Sequence, residues 1–179
     1  DEDLFIASCD SGFLYNEYEF NQLKKRENVD CIVWTFTQRE TLKKNPNAWG
    51  WYKLEEDNET IRDISVKVPV SNNPYKDHAV VATFWFKRAK DFVKSTNLMI
   101  KQNYRINNEF YIDATPKFLQ QINKKSIIFD VDLYVGWGRP EDLHNYEFVE
   151  FVAKYGIVPE NFSEENKRLM PLWVRYFEK

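Results

Sequence analysis

The stretch HAVVATFWF, residues 78–86, is the strongest strand signal in the chain, and it runs directly into a segment carrying Phe92, Val93, Met99 and Ile100 at helical spacing. A buried strand feeding an amphipathic helix predicts an α/β unit. Working outward, Cys31–Phe36 reads as a second interior strand, ended by the polar stretch 39–47 with its Pro46. Residues 4–9 form a short apolar run ending at Asp10. There Ser11-Gly12 predicts a turn, and Tyr15, Tyr18 and Leu23 among polar residues predict a helix. The runs 49–54 and 61–68 flank a charged Asp57-Asn58 turn and read as a hairpin closed by Pro69 and Pro74, set apart from the main sheet.

Toward the C-terminus, a helical stretch around 118–122 precedes the run 127–135, where Phe129, Val131 and Leu133 alternate with Asp130 and Asp132. That alternation predicts the two aspartates on one strand face. Pro140 with Glu141 and Asp142 marks a helix start, continued by Leu143, Tyr146, Val149 and Val152. Residues 1–157 are read as the body of one domain, and 158–179 as a peripheral tail with a helix over Glu164–Phe177. Strands alternating with helices predict a mixed, mainly parallel sheet, in which ligands bind beyond the carboxyl ends of strands.

Composition narrows the function classes. The 179 residues are 43% hydrophobic and 17% aromatic, enough for a substantial core. Twenty-five basic and 28 acidic residues give a net charge of -3 without a dense Lys/Arg block, which argues against a nucleic-acid partner. The longest apolar run, 79–86, is far short of the roughly 20 residues a membrane-spanning helix takes, so no membrane partner is expected. Cys9 and Cys31 both lie in apolar runs and are expected to be buried, with no disulfide required. His78 and His144 stand alone, far from either cysteine, so no zinc-type spacing exists. Asp-Glu-Asp at residues 1–3 is unlike a secretory leader, and the reading is a cytoplasmic enzyme or binding protein.

Few residues are placed to carry chemistry. Asp10 ends a strand before Ser-Gly, where a carboxylate could meet phosphates and a divalent cation; an Asx-turn or helix cap accounts for it equally. Asp130 and Asp132 could bind a hard cation or simply be a solvated strand face. Lys67, within Val-Lys-Val-Pro, would be costly to bury without an anionic partner such as a phosphate, although a lysine also protects an edge strand. Glu109 and Asp113, four apart, share a face on a helix or a strand, and are otherwise surface acids. Trp137, between Gly136 and Gly138, could stack on a ligand that the bare backbone lets approach, or mark a tight turn. The five glycines, at 12, 50, 136, 138 and 156, form no phosphate-cradling loop.

Five stretches, in order, resemble the sugar-phosphate nucleotidyltransferases, the nucleotide-sugar pyrophosphorylases, especially bacterial members serving capsule and surface-polysaccharide biosynthesis. Ala-Ser-Cys-Asp-Ser-Gly (7–12) resembles the strand whose aspartate holds Mg²⁺. Trp-Gly-Trp-Tyr-Lys (49–53) with Val-Lys-Val-Pro (66–69) is similar to the segment whose lysine contacts the acceptor. Residues 79–86 resemble the next core strand. Asn-Asn-Glu-Phe-Tyr-Ile-Asp (107–113) is similar to the element whose acid holds sugar hydroxyls, and Trp-Gly-Arg-Pro-Glu-Asp-Leu (137–143) to the closing motif.

The resemblance implies a Rossmann-like three-layer nucleotidyltransferase fold. It also implies attack by a sugar phosphate on the α-phosphorus of a nucleoside triphosphate with release of pyrophosphate. In it Asp10 is the catalytic, Mg²⁺-holding residue, while Lys67, Glu109, Asp113, Trp137 and Gly138 bind substrate. Two departures stand out. The family's second metal-binding aspartate falls at Gly136, leaving Asp132 or Asp130 as substitute. The family's Gly-rich nucleotide-binding segment precedes the Asp10-type strand and is not among these residues, so the chain is expected to be inactive alone and prone to self-association through an unpaired strand. A noncatalytic sugar-phosphate-binding or interaction module on the same scaffold is the second reading. A glycosyltransferase using Asp130-Val131-Asp132 on a donor diphosphate is a third.

Overall fold

The computed structural model describes residues 2–178. Its elements in chain order are β1 (Leu4–Ile6), β2 (Ser11–Leu14), α1 (Glu17–Lys24), β3 (Cys31–Phe36), α2 (Glu40–Lys44), β4 (Gly50–Leu54), β5 (Ile61–Val66), β6 (His78–Phe86), α3 (Ala89–Lys101), α4 (Thr115–Gln120), β7 (Ser126–Asp130), β8 (Leu133–Gly136), α5 (Pro140–Tyr155) and α6 (Glu164–Phe177). They fall into two compact units. Glu17–Asp130 joins the segment that ends at Ser8 in the first, and Cys9–Asn16 joins the chain from Val131 onward in the second.

The first unit is built on a six-stranded sheet of order β5-β4-β6-β3-β7, with β1 also paired to β6. The class is α/β as predicted, but the sheet is mostly antiparallel: only β3 and β7 run parallel. The cause is the hairpin and the way β6 returns beside both β3 and β4, connections that antiparallel pairing permits without a crossover helix. All six residues of β3 are buried, as a run that is apolar but for Thr35 requires of a strand covered on both faces. On one face Val33, Tyr52, Ile64, Val80, Phe84 and Ile128 form a core. On the other, the fully buried ring of Trp34 meets Phe20 at 4.7 Å, Phe5 at 5.3 Å and Phe129 at 5.7 Å between ring centroids. Much of the aromatic surplus is therefore core packing.

Several predicted elements are corrected. The run 4–9 is a strand only to Ile6, and Cys9 is exposed rather than buried. Ser11-Gly12 is not a turn into a helix. It begins β2, whose pairing with β8 buries Leu14, and helix starts only at Glu17. The hairpin belongs to the main sheet: Trp51 and Tyr52 pair with Ala79 and His78. Its tip also reaches β7, where Thr60 bridges Ile127, the Ile128 N–H donates to the Glu59 carbonyl at 3.0 Å, and Arg26 grips the Glu59 carboxylate. The run 127–135 breaks in two. Asp130 closes β7, whereas the Asp132 N–H bonds the Leu14 carbonyl at 2.8 Å as the chain joins the other ladder, so the two aspartates share no strand face.

In the second unit the antiparallel β2–β8 pair, in register from Ser11↔Gly136 to Leu14↔Leu133, packs with α5 and α6. Pro140 sits in the first turn of α5 and Gly156 closes it in the left-handed conformation (φ +68°), the expected asymmetry of start and stop. Ser163 caps α6 by accepting from the Asn166 N–H at 3.1 Å. This last helix is no peripheral tail: Leu169 and Trp173 are buried in the same core as Leu14, Val135, Val149 and Phe162. The compact units therefore do not follow a boundary at 157/158. Among the described residues no helix is long and apolar enough to cross a membrane.

Trp34→Ala should destabilise the protein by about 3–5 kcal/mol, the range for emptying a fully buried aromatic site. Urea unfolding should show a lowered midpoint at unchanged slope.

Candidate functional site

Lys67 follows β5 directly, and its backbone is left-handed (φ +66°), a conformation costing an L-residue roughly 1–2 kcal/mol. Such strain persists only where the surroundings fix it. Here the Lys67 N–H donates to the Trp49 carbonyl at 2.9 Å, and Nζ donates to the Ala48 carbonyl at 2.8 Å. The ammonium stands 5.6 Å from the centre of the Tyr111 ring, whose hydroxyl donates to Glu109 Oε2 at 2.6 Å. That bond to a carboxylate raises the Tyr111 pKa.

Asp113 completes the cluster. Burial lifts its pKa from the usual 3.8 to about 6, with the charge of Lys67 pulling the other way. Its Oδ2 lies only 2.4 Å from where a Cβ on Gly50 would stand, so the first residue of β4 must lack a side chain for the carboxylate to lie there. Tyr52, buried on β4, donates its hydroxyl to the Asp113 carbonyl at 2.9 Å. Lys67, far in sequence from Glu109 and Asp113, thus comes together with them through Tyr111 and Gly50. The sequence assigns no role to Gly50, Tyr52 or Tyr111, because a glycine or tyrosine within such a run carries no signal of what will fold onto it.

The polar edge extends along the same sheet. Val80 lies against Gly50 and pairs with Thr35, which pairs in turn with Asp130. The buried Thr35 hydroxyl donates to Asp130 Oδ1 at 2.7 Å, and His78 Nδ1 lies 3.0 Å from the same oxygen. His78 does not stand alone; its partner is 52 residues away in the chain.

In the second unit, Asp10 is exposed just before β2, and its carbonyl accepts the Trp137 N–H at 2.8 Å. Its Oδ2 would be 2.8 Å from a Cβ on Gly138, so the carboxylate rests on bare backbone. Gly136, across the ladder from Ser11, is covered by Tyr134, whose hydroxyl would be 3.0 Å from a Cβ there. Trp137 packs edge-on to Tyr146 at 5.7 Å and over Gly12, so its ring is committed to packing. Asp10 and Asp132 lie beyond opposite ends of the β2–β8 ladder. At about 3.3 Å per residue their backbones are roughly 16 Å apart, whereas two carboxylates on one Mg²⁺ must bring oxygens within about 4 Å of each other. They do not share an ion, and Asp132 instead faces Arg175 at 3.4 Å. Among the described residues no group of three or more His, Cys, Asp or Glu could hold a metal. Asp10 alone fits Mg²⁺ only in the manner of one carboxylate, with water and phosphate completing the shell.

Solved structures share this architecture. A nucleoside-diphosphate-sugar pyrophosphorylase from Vibrio cholerae RC9 superposes with a TM-score of 0.60 at 14% identity, over 80% of this chain and 55% of its own. A UDP-glucose pyrophosphorylase in its apo form gives 0.63 at 15% identity, over 86% and 55%. The fold is that of the nucleotide-sugar pyrophosphorylases. A protein from Bacillus anthracis assigned as a glucose-1-phosphate thymidylyltransferase agrees, at 0.57 and 12% identity over 80% and 52%. The chain spans about half the length of these pyrophosphorylase structures. No protein-family model and no curated protein matches its sequence.

Asp113→Asn should stabilise the protein above neutral pH. Because the folded pKa is raised, the ionised carboxylate opposes folding; this penalty is absent below the unfolded value of 3.8, grows up to about pH 6 and is constant above it. From roughly 1.4 kcal/mol per pKa unit, the variant should gain at most about 3 kcal/mol at pH 7.5 and little at pH 4, read from denaturant unfolding across that range.

Proposed function

We propose that this chain supplies the acceptor and metal side of nucleotidyl transfer from a nucleoside triphosphate to a sugar phosphate, the pyrophosphate-releasing step of nucleotide-sugar synthesis. The observation that carries the reading is the cluster on the pyrophosphorylase fold: a strained lysine beside a half-buried carboxylate of raised pKa, flanked by Tyr111 and Glu109. Perturbed ionisable groups gathered beside strand ends mark a site poised for a polar ligand.

The chemistry asks little covalent work of the protein, since the acceptor phosphate is itself the nucleophile and catalysis rests on position and electrostatics. Lys67 keeps two further N–H donors beyond its bond to Ala48, and these would hold the acceptor phosphate. Asp113 and Glu109 would accept from sugar hydroxyls, Asp113 doing so in its ionised form above pH 6. Asp10 would hold Mg²⁺, which when bound supplies charge neutralisation to the reacting phosphates.

Lys67→Ala should weaken the binding of hexose 1-phosphates about tenfold, equivalent to about 1.4 kcal/mol, in isothermal titration calorimetry. Unchanged affinity would remove the phosphate role. In pyrophosphate-release assays with nucleoside triphosphates, Mg²⁺ and hexose phosphates, protein that contains this chain and turns over should lose at least a hundredfold in kcat with Asp10→Asn, in the range of losing one key electrostatic stabiliser. Near-normal turnover at saturating Mg²⁺ would exclude Asp10 as the ligand.

A further inference from the structure

The outward face of α5 is used by none of the roles above. Val149 and Val152 bury the other side of this helix in the core of the second unit. Leu143, Phe151 and Tyr155 are nevertheless exposed, as are Ile157 and Val158 just beyond the helix end. The rings of Phe151 and Tyr155 stand 4.9 Å apart and form one ridge at i and i+4. At 42–60% exposure the five side chains leave on the order of 400–500 Å² of apolar residue in water, a patch of the size that on a single chain is often functional.

The spacing along the helix says what fits this face. His144, Phe148, Phe151 and Tyr155 follow one another at intervals of four, three and four, the seam along which one helix packs on another. Phe148 is half-buried, its ring 5.6 Å from that of Phe162, and ties the seam to the core. Glu147 and Lys154, both exposed, stand seven residues apart and so occupy the same position of the repeat, on the same flank of the seam. Lys154 Nζ lies 5.4 Å from the centre of the Tyr155 ring, which keeps the charge beside the apolar ridge.

Opposite charges at one repeat position select both the partner and its direction. With a two-fold axis between Glu150 and Phe151, a second α5 would run antiparallel to the first, and Glu147 of each helix would come opposite Lys154 of the other, twice over. The Phe151 rings would meet beside the axis. Parallel packing would instead set Glu147 against Glu147 and Lys154 against Lys154. The helix is 16 residues long, about 24 Å, enough to carry both ion pairs with the aromatic ridge between them.

We propose that the exposed face of α5 is a self-association surface, on which two copies of this chain pair antiparallel through Phe151 and Tyr155, flanked by two Glu147–Lys154 ion pairs. The apolar patch is about half of the roughly 800 Å² that each partner of a standard interface buries, so the dimer is weak and forms in the micromolar range. The surface is a helix face, distinct from the strand edge through which the sequence suggests self-association.

Sedimentation velocity of the chain between about 1 and 200 µM tests this. The weight-average mass should rise from monomer toward dimer across that range. Phe151→Asp, at an exposed position, should leave the circular dichroism and unfolding midpoint unchanged and hold the chain monomeric throughout. Glu147→Lys and Lys154→Glu should each weaken the dimer by about fivefold or more, because each replaces two attractions by two repulsions. The double variant Glu147→Lys/Lys154→Glu should recover the dimer, and so should an equimolar mixture of the two single variants, whose charges complement one another only in the antiparallel pair. A chain that stays monomeric at 200 µM, or a dimer indifferent to Phe151→Asp, would overturn the proposal. Loss of the dimer in Phe151→Asp without recovery in the mixture would overturn the antiparallel arrangement.

Discussion

The register of β3 is the constraint on which the first unit depends. Its six buried residues pair antiparallel with β6 and parallel with β7, so one row across the sheet contains Val80, Thr35 and Asp130. A slip of one residue would reverse the faces, moving Trp34 out of its aromatic layer and turning Thr35 away from Asp130. The apolar burial that fixes the register is thus also what assembles the polar edge. Val80 adjoins Gly50, and Gly50 is the bare backbone over which the Asp113 carboxylate lies.

Interior strands were legible because their signal is local. Cys31–Phe36 and His78–Phe86 are continuous β-branched and aromatic runs, and their bounds in the fold are the predicted ones. Pairing direction was not legible, since nothing within 78–86 tells that it returns antiparallel beside both β3 and β4. The run 127–135 misled for a related reason: its alternation is continuous, but the backbone leaves one ladder after Asp130 and enters another at Leu133. The helix at Glu164–Phe177 was read correctly in extent and wrongly as peripheral, because a stripe with Leu169 and Trp173 shows that a face is apolar without showing what it will meet.

The candidate site divides in the same way. Lys67 attracted notice through its apolar neighbours, and it does sit with Asp113 and beside Tyr111. The pairing of His78 with Asp130 could not be seen, because it joins groups from two strands that meet only in the folded sheet. For the metal, the alternation of Asp130 and Asp132 suggested a paired-carboxylate site. The fold instead gives one aspartate to Thr35 and His78 and the other to Arg175. What remains is Asp10 on the backbone of Gly138, with Tyr134 over Gly136 where the resemblance would put a second carboxylate. A single carboxylate suits an ion that arrives with its phosphates rather than one held permanently.

Whether the Lys67–Asp113 cluster is the acceptor site is decided by a crystal structure of the protein with glucose 1-phosphate. The phosphate is expected within hydrogen-bonding distance of Lys67 Nζ, with Asp113 against the sugar hydroxyls. A sugar phosphate bound elsewhere, with Lys67 Nζ still engaged only by the Ala48 carbonyl, would contradict it.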